Sequence, residues 1–193
     1  MARTLQTQRT RLAIAVASSA ALAFSLTACG ASGPKNKEGL GAADAIAVGH
    51  RKPLPTLSGT TLDGAKLDLA SFKGKGVVLN IWASWCDNCE AEASYLEHAS
   101  EAFKDKGVQF VGIDTRDNPG QGKAFVTAKQ IGYPNLVDDG NETLLTKLAG
   151  IVPLASVPST LIIDRDGKLA WRALLPVDYK TVSGALDTVL SGK

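Results

Sequence analysis

The chain has 193 residues, 45% of them hydrophobic and 21% charged, which fits one globular domain with short appendages and excludes a disordered protein. The formal net charge is +2, but three of the arginines lie within the first 28 residues. The remainder is close to neutral. A near-neutral body gives no electrostatic reason to expect nucleic acid as a partner.

The first 28 residues are typical of an export signal. Arg3, Arg9 and Arg11 form a basic start, and an apolar run over residues 12–26 follows that is too short for an ordinary membrane span. Small residues then precede Cys29, an arrangement that resembles the bacterial lipobox, where the cysteine thiol is lipidated. We predict a lipoprotein signal peptide over residues 1–28 and a lipid anchor at Cys29. Cleavage that releases a soluble secreted protein is the alternative.

Residues 29–52 are mostly Gly, Ala, Ser, Lys and Asn, which predicts a flexible tether with an average reach of about 25–30 Å. The folded domain is predicted over residues 53–193.

Within that domain, apolar runs, periodicity and turn residues predict the secondary structure in chain order. The predicted elements are a hairpin turn at 62–64, a buried strand at 76–83, a helix at 86–106, a strand at 108–114, a helix at 123–131, a strand at 135–137, a helix at 142–149, two strands at 157–164 and 168–174 joined by a turn, and a helix at 178–190. This order predicts an α/β domain in which helices flank a central mixed sheet, with an N-terminal β-hairpin extension.

Cys86 and Cys89 lie where the buried strand at 76–83 passes into a helix. Free backbone N–H groups and the helix dipole favour negative charge there, so the position activates Cys86 as a thiolate nucleophile. Two intervening residues allow Cys89 to reach back and close a disulfide. With Cys29 assigned to lipid, no cysteine remains for a structural disulfide framework.

Residues 80–89, with Glu92, and residues 157–161 resemble the thioredoxin superfamily, and within it the TlpA-like (ResA-like) branch of extracytoplasmic thioredoxins. The resemblance covers residues 53–190. It implies a thioredoxin fold in which Cys86 attacks and Cys89 resolves. It also implies a cis Val157–Pro158 peptide facing the disulfide, which exposes backbone for an extended substrate; Trp85 is assigned to the rim of the same substrate site.

Two positions depart from the common pattern of that branch. The dipeptide between the cysteines is Asp87-Asn88, where proline is common at the second place, and Ser94 replaces a frequent helix proline. A carboxylate at Asp87 disfavours the neighbouring thiolate, so we assign redox tuning to Asp87 and Asn88 and predict a low reduction potential.

Glu92 shares one helix face with Cys89, Leu96 and Phe103, because their spacings are three, four and seven residues. This spacing predicts a carboxyl group directed toward the core, whose pKa burial would raise. Such a group can exchange protons with the resolving thiol, a role that the resemblance also implies. The alternative is an edge-of-core glutamate in a helix salt bridge. The acid that many cytoplasmic thioredoxins carry beneath the cysteine pair corresponds to Asn80, which cannot titrate.

A zinc site that adds His50 and His98 to the two cysteines is disfavoured, since the four residues lack the compact pairs of structural zinc. We therefore expect no metal and no cofactor besides the Cys86–Cys89 disulfide.

The predicted function is thiol–disulfide exchange by a membrane-anchored monomer that reduces exported proteins. The expected partners are disulfide-containing exported proteins, a membrane-embedded electron donor and the lipid bilayer through Cys29. The resemblance implies apocytochrome c maturation as one task, and general repair of exported proteins is equally compatible. The alternatives are a thiol peroxidase on the same fold and a lipoprotein that binds without catalysis.

Overall fold

The computed structural model describes residues 43–138 and 140–192. The signal peptide predicted over residues 1–28, the lipidation predicted at Cys29 and the first part of the predicted tether lie outside these residues. Eight strands are described: β1 (Ala43–Ala45), β2 (Ser58–Thr60), β3 (Lys66–Asp68), β4 (Gly76–Trp82), β5 (Val108–Thr115), β6 (Asn135–Asp138), β7 (Ser159–Ile163) and β8 (Leu169–Ala173). Four α-helices are described with them: α1 (Asp87–Phe103), α2 (Pro119–Ala128), α3 (Thr143–Lys147) and α4 (Tyr179–Leu190).

Six strands form one mixed sheet in the order β1-β8-β7-β4-β5-β6. Strands β4, β5 and β6 run parallel, whereas β7 is antiparallel to β4, β8 to β7 and β1 to β8. The remaining two strands, β2 and β3, form the predicted hairpin extension. Its turn includes Gly64 at φ 94°, a left-handed conformation that suits glycine.

All seven residues of β4 are buried, as its apolar, β-branched sequence predicts for a central strand. One face of the sheet packs against α1, α2 and α4, and the other face packs against α3 and the apolar residues of the hairpin region. The helices therefore lie on both faces of the sheet. The turn between β4 and α1 lies at the C-terminal end of β4.

Several element ends differ from the sequence-based predictions. Helix α2 begins at Pro119, four residues before its predicted start, because the side chain of Asn118 accepts the N–H of Gly120 at 2.8 Å and proline is tolerated in the first turn. Helix α1 continues into a short 3-10 turn, Lys104–Lys106, and stops at Gly107 with φ 75°. No α-helix among the described residues is long and apolar enough to span a membrane.

The predicted domain boundary at residue 53 is wrong, because the ordered fold includes at least residues 43–52. Strand β1 pairs with β8, and Asp44 forms an ion pair with Arg172 at 3.3 Å. Arg51 forms a second ion pair with Asp164 at 3.2 Å. The three residues of β1 are small or polar and do not predict a strand on their own. Strand β1 forms because it pairs with β8, which lies more than 120 residues later in the chain.

Candidate active site

The two cysteines form a disulfide at the junction between β4 and α1, with their Cα atoms 5.2 Å apart. Cys86 is the N-cap of α1, and its Sγ accepts the backbone N–H of Cys89 at 3.1 Å. The side chain of Cys86 is 8% exposed and that of Cys89 is 2% exposed. Cys86 is therefore the sulfur nearer to solvent, at the end of the helix that stabilises negative charge.

The turn over residues 83–86 joins β4 to Cys86, and it is held from the loop after β5. The turn closes with a hydrogen bond from the N–H of Cys86 to the carbonyl of Ala83 at 3.2 Å. Asp117 accepts the N–H of Ser84 at 2.6 Å, and the indole N–H of Trp85 donates to the carbonyl of Arg116 at 3.1 Å. Sequence reasoning missed Asp117 and Arg116, although both follow the strand parallel to β4.

The peptide bond between Val157 and Pro158 is cis, as the resemblance implies. Ser159 pairs with Ile81 across the two antiparallel strands, so Pro158 follows the register to a position opposite Trp82. The Val157–Pro158 segment thus lies at the same end of the sheet as the disulfide. Val157 is half-buried and Pro158 is buried.

Glu92 lies in the second turn of α1 and is 1% exposed. Its Oε1 accepts the side-chain N–H of Asn80 at 2.7 Å, and its Oε2 accepts the backbone N–H of Val177 at 3.0 Å. Burial raises the pKa of Glu92 to about 7, outweighing these two hydrogen bonds, which act to lower it. The carboxyl group is therefore poised to gain or lose a proton near neutral pH.

Asn80 cannot titrate, but its side-chain amide makes hydrogen bonds that support this site. Its Nδ2 lies 2.7 Å from Glu92 and 3.2 Å from Oγ1 of Thr160 on β7. One amide therefore links the buried carboxyl of α1 to the strand that follows Pro158. Sequence analysis identified the position but not this contact.

A second buried carboxyl group, Asp114 on β5, was also missed. It is 2% exposed, and burial together with the charge of Asp117 raises its pKa to about 8. Within the described structure its Oδ1 has no hydrogen-bond partner. The only available sequence signal was an acid at the end of an otherwise apolar strand.

The two residues between the cysteines, Asp87 and Asn88, are exposed at the start of α1. His98 stacks on Tyr179 with ring centroids 4.4 Å apart. Among residues 43–138 and 140–192, no cluster of three or more Cys, His, Asp or Glu side chains has the arrangement of a metal site.

Known proteins match both the sequence and the fold. The AhpC/TSA family profile matches residues 50–172. Thiol-disulfide oxidoreductase ResA of Bacillus thuringiensis subsp. konkukian is 37% identical over 118 residues, covering 61% of this chain and 65% of that protein. ResA of Bacillus anthracis is 31% identical over 138 residues, covering 72% of this chain and 77% of that protein.

Two solved structures show the same architecture. A DsbF homologue from Corynebacterium diphtheriae is 28% identical with a TM-score of 0.71, covering 81% of this chain and 96% of that one. A secreted thiol-disulfide isomerase from Corynebacterium glutamicum is 26% identical with a TM-score of 0.74, covering 82% of this chain and 95% of that one.

A mixed sheet with helices on both faces, and a C-x-x-C disulfide at the end of its central strand, define a thioredoxin-like protein, which confirms the predicted fold. The chain belongs to the AhpC/TSA family, and within it to the ResA-like thioredoxin-family proteins.

Proposed function

We propose that the protein is a thiol–disulfide oxidoreductase that reduces disulfides in exported proteins. The observation that carries the proposal is the Cys86–Cys89 disulfide at the N-terminus of α1, with the carboxyl group of Glu92 buried one turn beyond Cys89. The ResA and Dsb-type relatives support the same class of reaction.

The reaction begins with both cysteines reduced. The Cys86 thiolate attacks a substrate disulfide, forming a mixed disulfide and releasing one substrate thiolate. Cys89 then attacks the sulfur of Cys86, which releases the second substrate thiolate and forms the Cys86–Cys89 disulfide. Two electrons pass from the protein to the substrate. Glu92, with its pKa near 7, accepts the proton that the Cys89 thiol loses before it attacks.

Exposed apolar side chains near the active-site end support an extended polypeptide as substrate. Trp85 is 57% exposed, Leu175 is 54% exposed and Leu154 is 44% exposed. Ser156 Oγ donates to the carbonyl of Leu174 at 3.4 Å, so the loops that carry the two leucines meet beside the Val157–Pro158 segment. An unfolded or partly folded exported protein offers the apolar segments that such a rim contacts.

The strand register supports a membrane anchor close to the active site. Ala43 pairs with Ala173, and Ala173 pairs with Thr160, so the chain enters the sheet at the same end as the disulfide. Cys29 precedes Ala43 by 14 residues, which span about 50 Å at most when fully extended. Lipidation at Cys29 would therefore keep the active site near a membrane-embedded electron donor that regenerates the dithiol.

Trapping of mixed disulfides tests this function. Cys89→Ser removes the resolving thiol, so the reduced variant should accumulate covalent complexes with exported proteins through Cys86, apocytochrome c among the candidate substrates. Cys86→Ser is the matched control and should trap nothing. If neither variant traps a protein and the wild type consumes hydroperoxide, the protein is a peroxidase. If it neither traps protein nor consumes peroxide, it is a binding protein and the proposal is wrong.

A further inference from the structure

The loop that follows β5 holds the turn before Cys86 at two points. The carboxylate of Asp117 accepts the N–H of Ser84 at 2.6 Å, and the carbonyl of Arg116 accepts the indole N–H of Trp85 at 3.1 Å. Arg116 has a φ of 53°, in the left-handed region that side chains other than glycine rarely adopt. The loop conformation is therefore stabilised by these contacts and not by local preference.

Asp114 lies behind this contact. Its Oδ2 faces Gly122 on α2, where a Cβ atom would lie 2.0 Å from that oxygen. The helix packs directly on the carboxyl group, which explains its burial. Burial and the charge of Asp117 both raise the pKa of Asp114.

Given the exchange reaction proposed above, we infer that Asp117 is a positioning residue that fixes Cys86 for attack through the Ser84 N–H. Without the Asp117 hydrogen bond the turn over residues 83–86 is held less firmly, and Cys86 would react more slowly per thiolate.

The first test is the Ser84 amide resonance in the oxidised, ¹⁵N-labelled protein, in which the cysteines do not titrate. We expect this resonance to lie downfield in the wild type, because the Ser84 N–H donates to the Asp117 carboxylate. Asp117→Ala should shift it upfield at every pH. Asp68→Ala is the matched control. Asp68, at the end of β3, accepts the N–H of Ala70 at 2.9 Å, and removing this comparable bond should leave the Ser84 resonance unchanged.

The second test is the alkylation rate of Cys86 in the reduced protein, divided by its thiolate fraction. Asp117→Ala should lower this rate about tenfold, and Asp117→Asn, which keeps an acceptor oxygen, should restore it to within about twofold. Equal rates in the wild type and a folded Asp117→Ala variant would overturn the positioning role. If Asp117→Ala does not fold, the alkylation rate of Cys86 in Asp117→Asn decides the question. A rate of about one tenth of wild type in that variant would overturn the positioning role.

An unchanged Ser84 resonance in a folded Asp117→Ala variant would also overturn the positioning role. These measurements need no protein substrate, so they stand or fall separately from the proposed function.

Discussion

The amide of Asn80 on the central strand lies 2.7 Å from the carboxyl group of Glu92 on α1, so an uncharged side chain supports the titrating residue of the site. The N–H of Val177 holds the second carboxyl oxygen at 3.0 Å. Two neutral donors stabilise the carboxylate less than a cation would, and burial therefore dominates. This balance leaves the pKa of Glu92 at about 7.

Replacing Glu92 by Gln should slow disulfide exchange about tenfold or more near pH 7 and remove the Glu92 step from the pH–rate profile. Gln keeps the shape of the side chain and an acceptor for Val177, but it cannot accept a proton. Stopped-flow reduction of a small disulfide between pH 5 and 9 measures the effect. An unchanged profile would assign Glu92 a structural role alone.

The same residue should lower stability as the pH rises. The pKa of Glu92 is raised from 4.5 to about 7 by folding, so the unfolded chain releases this proton first, and stability falls between those two pH values. The difference amounts to about 3 kcal/mol at most. Urea unfolding of the oxidised protein at pH 4 and pH 8 should show a loss that is smaller in Glu92→Gln than in wild type by this amount, because Asp114, whose pKa is also raised, contributes to the loss in both proteins. Equal losses in both proteins would contradict the raised pKa.

In the reduced protein, Cys86 should be alkylated before Cys89 at neutral pH. Cys86 is the more exposed of the two and caps α1, whereas Cys89 lies inside the first turn. Brief treatment with iodoacetamide followed by peptide mass spectrometry gives the order. Preferential labelling of Cys89 would reverse the attacking and resolving roles.

Gly112→Ala should destabilise the fold directly behind the active site. An added Cβ would lie 1.8 Å from Oδ1 of Asn135 and 2.7 Å from Nε1 of Trp82, between two atoms joined by a 2.9 Å hydrogen bond. We expect a loss of about 1–3 kcal/mol in urea unfolding.

Gly184→Ala is the matched control for that substitution. Gly184 lies in α4 with nothing within 4 Å of its added Cβ, so alanine should raise stability by about 0.5–1 kcal/mol. Equal effects of the two alanines would show that the close contact at Gly112 does not determine the result.

The sequence predicted the elements around the disulfide because their signals are local. The apolar run of β4, the cysteine spacing and the three- and four-residue spacing that buries Glu92 each depend on neighbouring residues. Strand β1 and the contact between Asp117 and Ser84 could not be found this way. Each joins segments far apart in the chain, and its residue types are common in loops.

The charge beside Cys86 makes a small contribution to the reduction potential of the cysteine pair. Asp87 places a carboxylate in the first turn of α1, which disfavours the Cys86 thiolate and therefore favours the disulfide. Asp87 is exposed, so solvent screens its charge and limits the effect of this one residue to about 20 mV. Asp87→Asn should raise the reduction potential by no more than that amount.

Equilibration of the Cys86–Cys89 pair with dithiothreitol or glutathione buffers at pH 7 tests the central claim, that this protein exchanges disulfides as a reductant. The oxidised fraction, measured by alkylation and mass spectrometry, should give a reversible two-electron potential below about −200 mV, near those of thioredoxin and glutaredoxins. A potential near about −120 mV, that of DsbA, would show that the protein is an oxidant and contradict the claim.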